Sequence, residues 1–194
     1  MSLSETNADA VVVDACCLIN LAAANALNTW LGDLGLRWML PEAVLGEALF
    51  LRCPRDDAAE RGDSPQTDTV REPILLQPQI THRLLTVVRP ASDAELAVYV
   101  AFARELDDGE AMALAIAQAR GWLIATDDHK AIRLAGEAGV PVLTTPAVMR
   151  RWADELGPSD AEISAALLAI RERARFLPGG RDPLSEWWIK QLRA

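Results

Sequence analysis

The sequence is poor in cysteine, histidine and aromatic residues. Its 194 residues include three Cys, two His and 5% aromatics. The cysteines are odd in number, two of them (Cys16 and Cys17) are adjacent, and Cys53 stands alone. No Cys-x-x-Cys spacing exists, so neither a disulfide framework nor a thiolate zinc site is expected. His82 and His129 are far apart in the chain, so any bound metal should be a hard cation held by oxygen ligands. No stretch approaches the roughly 18 apolar residues of a membrane span. The start, MSLSETNADA, lacks both the basic residues and the apolar run of a secretory leader, so a cytoplasmic location with no membrane partner is expected. Also missing are a Gly-rich phosphate loop, a Gly-x-Ser-x-Gly elbow and a His-Glu-x-x-His pair. Asp14-Ala15-Cys16 lacks the second aspartate expected of a phosphatase that uses an aspartyl nucleophile.

Apolar residues make up 51% of the chain, enough for one globular domain with a real core and an appendage. The formal net charge of −9 argues at first against a nucleic-acid partner. It is unevenly spread: residues 146–194 carry a balance of +1, and residues 1–145 a balance of −10.

Val11-Val12-Val13 reads as a short buried strand leading into Asp14, followed by a helical segment from Leu18 to about Leu31. Leu36–Leu40 reads as a second strand, and Pro41 as the first residue of a helix reaching Leu51, where its missing N–H costs nothing. Residues 52–73 are polar and without periodicity, the pattern of a long loop. Ile80–Val88 alternates loosely as a strand, and Ser92-x-x-Glu95 is a capping box opening a helix to Leu106. Helix, strand, helix and strand then follow over Gly109–Arg120, Trp122–Thr126, Asp128–Ala138 and Val140–Thr144, with Gly121 and Gly139 as stop signals. Alternation at this spacing implies a parallel sheet covered on both faces. In the tail, Ser159-x-x-Glu162 caps a helix to about Arg173, Pro178-Gly179-Gly180 breaks it, and Asp182-Pro183 opens a short last helix with Trp187 and Trp188. The division expected is residues 1–149 as a sheet domain, with its loop at 52–73, and residues 150–194 as a C-terminal helical extension.

Several carboxylates are candidates for chemistry, and each has a plain structural explanation beside it. Asp14 ends an apolar strand, where open α/β sheets bind ligands, but capping the next helix would account for it. Glu47 borders an apolar helix stripe, whereas Glu42 merely suits the helix dipole. Glu110 follows Asp107-Asp108-Gly109 and faces Ala113 and Leu114 on a helix that must be buried nearly all round. Asp127-Asp128 closes a strand with one acid more than capping needs. Taken together, Asp14, Glu47, Glu110 and Asp127 belong at one end of a parallel sheet. Such a set would repel itself without a divalent cation, and Mg²⁺ or Mn²⁺ suits phosphodiester hydrolysis. Lys130 and Arg133 share a helix face and could meet phosphate, as could Arg52, Arg55, Arg150 and Arg151.

VVVDACCLINL resembles the first motif of PIN domains, and PEAVLGEA the second. LDDGEAMALAIAQARGWLIATDDHKAIRLAGEAGVPVLTT resembles their late region, so the similarity covers about residues 11–149. The resemblance implies a three-layer α/β/α fold with a mostly parallel five-stranded sheet, here followed by the helical appendage. It also implies a Mg²⁺- or Mn²⁺-dependent endoribonuclease acting on RNA, most often the toxin of a VapC-like toxin–antitoxin pair. An antitoxin protein and a second copy of the chain are the partners it suggests. By motif position Asp14, Glu47, Glu110 and Asp127 carry the metal, with Asp128 the alternative to Asp127. Cys16 takes the motif position that is often Ser or Thr, beside the substrate site. The rival reading is a PIN fold that binds RNA or protein without cutting it.

Overall fold

The computed structural model describes residues 9–25, 27–47, 49–54 and 69–193. Five parallel strands form one sheet in the order β5-β2-β1-β6-β7: β1 (Ala10–Val13), β2 (Arg37–Pro41), β5 (Leu85–Val88), β6 (Leu123–Ala125) and β7 (Val142–Leu143). The central strand shows why it lies there. Successive side chains of a strand point to opposite faces, and all four residues of β1 are fully buried. Val11 and Val13 enter one hydrophobic core, Ala10 and Val12 the other.

The first core is closed by α1 (Ala15–Ala23), α2 (Leu27–Asp33), α8 (Thr145–Leu156), α9 (Asp160–Ala169) and α10 (Ser185–Gln191). The second is closed by α5 (Asp93–Phe102), α6 (Asp108–Arg120) and α7 (His129–Glu137). This is the parallel sheet covered on both faces that the alternation implied, and the three-layer α/β/α arrangement with five strands that the resemblance implied. Trp152, Ile163, Leu167, Ile170 and Trp188, all beyond residue 149, belong to the first core. Trp188 is fully buried against Phe176, while the half-buried Trp187 lies beneath the Arg150 guanidinium. No helix among the described residues is long and apolar enough to cross a membrane.

The stop signals act as expected at α6 and α7, where Gly121 (φ 65°) and Gly139 (φ 68°) take the left-handed conformation. Other boundaries differ from the sequence reading, each for a local reason. The expected helix from Leu18 to Leu31 starts at Ala15 and is split, because Asn25 turns the chain with a left-handed φ of 59°. The helix expected to run from Pro41 to Leu51 is only α3 (Glu42–Leu45). Residues beyond it are drawn into β3 (Phe50–Pro54), which pairs antiparallel with β4 (Thr69–Pro73). Both ends of the supposed 52–73 loop are therefore strand; its middle, including Arg55, lies outside the described residues. The strand expected at Ile80–Val88 begins only at Leu85, since Gln77–Thr81 forms a helical turn (α4) and Arg83 has a left-handed φ of 59°. The helix expected to reach Leu106 stops at Phe102, and the one expected to reach Arg173 becomes a π-helical turn at Ile170–Ala174.

Candidate active site

Asp14 follows β1 directly and is the N-cap of α1: its Oδ1 accepts the Cys17 N–H at 2.9 Å. Its side chain has no exposure. Burial pushes its pKa up to about 7, the negative charge of Asp127 adds to the rise, and hydrogen bonds from Thr126, Cys17 and Cys16 oppose it. The capping role and the buried charge coexist, because a cap satisfies one oxygen and leaves the carboxylate otherwise desolvated.

Asp127 and Asp128 leave β6 in different directions. Asp128 is the N-cap of α7, its Oδ1 accepting from the backbone N–H groups of Lys130 and Ala131, both at 2.8 Å. Asp127 is almost wholly engaged. Thr145 donates its backbone N–H to Oδ1 at 2.8 Å and its hydroxyl to Oδ2, and Asn20 donates to Oδ2 at 2.9 Å. Burial and the charge of Asp182 raise its pKa against those bonds. Asn20, Thr145 and Asp182 were not singled out from the sequence. For Asn20 there was a signal: it is the one strongly polar residue in an otherwise apolar helix.

Cys16 joins the two strand ends. Its thiol donates to Asp14 Oδ1 and Oδ2 at 3.1 and 3.2 Å, and its sulfur accepts the Asp127 N–H at 3.3 Å. Burial, with the charges of Asp14 and Asp127, drives the thiol's pKa up strongly, so it stays protonated and serves as a donor.

Glu110 sits in the first turn of α6, whose N-cap is Asp107. Burial, followed by the charges of Asp107, Asp128 and Asp14, raises its pKa to about 7. Glu47 arrives from the turn after α3 rather than from a helix face, a correction to the sequence reading. A Cβ placed on Gly109 would lie 2.0 Å from Glu47 Oε1, so the bare α6 backbone forms the seat for this carboxylate. Burial and Asp107 raise the Glu47 pKa as well. Beside it opens a pocket of about 490 Å³ walled by Glu42, Glu47, Asp107, Asp108, Gly46 and Gly109.

The four expected acids thus lie along an acidic arc at the carboxyl end of the sheet, where mutual charge links Asp14 to Asp127 and to Glu110. Among the described residues no basic side chain bonds to any of the four. Nor do three His, Cys, Asp or Glu side chains converge tightly enough there to enclose an ion. A hard cation still fits the donor set: all donors are carboxylate oxygens, two are held with pKa values near neutrality, and Gly109 cradles a third. Mg²⁺-like ions retain several waters and need only one or two direct carboxylates. Lys130 and Arg133 are committed elsewhere. Lys130 Nζ donates to the Glu105 carbonyl, and Arg133 pairs with Glu105 and Glu137, each at 2.8 Å. Arg150 and Arg151 pair with Asp154 and Glu155 within α8, and Arg52 lies exposed opposite Arg71.

Neither a curated protein nor a solved structure matches the chain. A family model described as a PIN domain matches residues 10–177. PIN domains are generally nucleases and typically use divalent metal ions. With most of its length under that match and a parallel sheet ending in the acidic arc, the chain belongs to the PIN-domain family.

Proposed function

We propose that this PIN domain is a Mg²⁺- or Mn²⁺-dependent endoribonuclease that hydrolyses RNA phosphodiester bonds. The observation that carries the reading is Asp14: a fully buried carboxylate at the end of the central strand, its pKa raised to about 7, with the acids Asp127 and Glu110 close enough to feel its charge. Such a group is costly to ionise alone and becomes favourable to ionise beside a cation. When bound, a divalent ion supplies Lewis acidity, lowering the pKa of a water and neutralising charge on the phosphate. The chain's own part is placement. Asp14 and Glu110 would hold the ion, and Glu47, seated on Gly109, would help to orient water. Asp127, bonded to Thr145 and Asn20, keeps the strand end in register and adds negative potential. Asp128 has one oxygen that accepts no hydrogen bond among the described residues, and it is the better placed of the pair to reach the ion.

RNA cleavage by the purified protein with Mn²⁺ is the test, run beside Asp14→Asn. The reading expects cleavage that disappears in the variant. Cleavage surviving the substitution would overturn the assignment of the site to Asp14, and none in either protein at high metal would leave a fold that binds without cutting. Growth arrest on expression, relieved by Asp14→Asn, is the corresponding readout for the narrower role as the toxin of a toxin–antitoxin pair.

A further inference from the structure

The C-terminal extension does more than close the first core: the segment that leads into α10 reaches the candidate active site. Residues 178–184 follow the stretch that the family model matches, and they pass over the start of α7, where a Cβ on Gly179 would lie 3.5 Å from the His129 ring. The segment is folded on itself. The Asp182 N–H donates to the Gly179 carbonyl at 2.9 Å, and the Leu184 N–H to Asp182 Oδ1 at 2.8 Å. Its far end is pinned by the buried Ser185 and Trp188 of α10. One oxygen of Asp182 thus serves its own turn. The other, Oδ2, accepts the Thr144 hydroxyl at 3.3 Å. No basic side chain pairs with Asp182 among the described residues, so this half-buried acid is held beside other acids by hydrogen bonds alone.

Thr144 is the N-cap of α8: its Oγ1 accepts the Ala147 N–H at 3.4 Å, and its ψ of 160° sets the plane of the peptide that follows. That peptide carries the Thr145 N–H, one of the donors a helix start leaves without an internal partner, and Asp127 Oδ1 accepts it at 2.8 Å. Whatever fixes Thr144 therefore fixes the direction from which Asp127 is held. Asp127 in turn gives its own N–H to the Cys16 sulfur, and the Cys16 thiol donates to Asp14. Hydrogen bonds, with the one step from Thr144 to Thr145, run from Asp182 to Asp14, and the charge of Asp182 is felt at Asp127. We propose that Asp182 is a positioning residue of the candidate active site: by holding Thr144 it aims the Thr145 N–H at Asp127, so that the C-terminal extension keeps the carboxyl end of β6 in its working geometry. The proposal deepens the nuclease reading and rests on it only where cleavage is measured.

Hydrogen exchange at single amides of the metal-free full chain, followed by NMR, tests it without any cleavage. Asp182→Ala is expected to speed exchange of the Thr145 amide at least about tenfold while leaving that of Val12, in the central strand, unchanged. Asp182→Asn should restore most of the protection, because its oxygen can keep the Leu184 N–H while its NH2 donates to the Thr144 oxygen. Asp182→Ala should add little to the effect of Thr144→Val, which has already removed the hydroxyl. In RNA cleavage with Mn²⁺, Asp182→Ala is expected to lower kcat about tenfold with KM nearly unchanged, and Asp182→Asn to recover most of the loss. The proposal is overturned by Thr145 exchange that Asp182→Ala leaves as it was, or that rises equally at Val12. It is equally overturned if Asp182→Asn is as damaging as Asp182→Ala, or if the wild type cuts RNA and Asp182→Ala cuts it as fast. A wild type that cuts no RNA overturns the nuclease reading instead, and the exchange measurement still decides the role of Asp182.

Discussion

Gly109 and Glu47 are in contact: any side chain at Gly109 would occupy the space of the Glu47 carboxylate, whose Oε1 lies 2.0 Å from the point where a Cβ would be. The severe clash is with the end of a flexible side chain, and Val44 Cγ2, at 3.3 Å, needs to give only by a few tenths of an ångström, so the fold can yield and the site cannot. Gly109→Ala is expected to leave the thermal midpoint nearly unchanged, the gain in helix propensity of up to about 1 kcal/mol offsetting the displacement. RNA cleavage should fall by at least about tenfold, the mark of a carboxylate moved by an ångström or so. Parallel melting curves and cleavage rates decide it; equal losses of both would mean that Gly109 matters to folding alone.

Asp14 should separate stability from function in the opposite sense. Asparagine keeps the capping oxygen for the Cys17 N–H and removes a charge that burial opposes. In EDTA at pH 8, Asp14→Asn is expected to melt at a higher temperature than the wild type. Added Mn²⁺ should raise the midpoint of the wild type and leave that of the variant in place. A variant that melts lower at pH 8 would contradict the buried-charge account.

The same shift sets a pH dependence. A carboxyl with a folded-state pKa near 7 and an ordinary value of 3.8 binds more protons folded than unfolded between those limits. Its contribution to stability is present in full below the lower value and is lost as pH rises through the upper one. Glu110, raised to about 7, acts in the same direction. Metal-free protein should therefore lose denaturant resistance from pH 5.5 to pH 8, and Mn²⁺ should restore more of it at pH 8. Flat stability across this window in EDTA would show that neither carboxyl is shifted.

Asp127 depends on its three donors. Thr145→Val removes a hydroxyl from a buried carboxylate that it cannot replace, and Asn20→Leu removes the donor from α1. Each should destabilise the fold by about 1–3 kcal/mol in urea titrations, the cost of an under-satisfied buried polar group. Their double variant should lose less than the sum, because Asn20 also donates to the Thr145 hydroxyl at 3.3 Å, a bond that either substitution alone removes.

The last helix is anchored by Trp188, fully buried and edge-on to Phe176 at 5.7 Å between ring centroids. Trp188→Ala is expected to cost about 3–5 kcal/mol, as for a large aromatic deleted from a core. Trp187→Ala, which removes a partly buried ring packed at the edge of the first core beneath Arg150, should cost less. Urea midpoints of the two variants give the comparison.

How much of this was legible in advance follows from the range of the interactions. The sheet, its parallel sense and the run from α6 to β7 were readable, because a buried strand, an all-apolar helix and a glycine stop are written in neighbouring residues. The acids at strand ends were readable too: Asp14, Glu110 and the Asp127-Asp128 pair stand beside the elements that place them. Glu47 was picked out for a helix face that does not exist, since β3 pairing with β4 claims the residues that would have continued it. Pairing between segments some twenty residues apart leaves no local period to read.

The amino-acid sequence by itself determined the layers of this protein, through periodicities of two and near four that assign each face, and the oxygen-only character of its candidate site, through its scarcity of His and Cys. Tertiary structure alone decided which oxygens remain to act. Only in the folded chain does Thr145 meet Asp127 across eighteen residues, Cys16 bridge two strand ends, and Gly109 open a seat for Glu47. The physical reason is that hydrogen bonds and desolvation depend on what lies within a few ångströms, and sequence order does not specify which distant residues come that close.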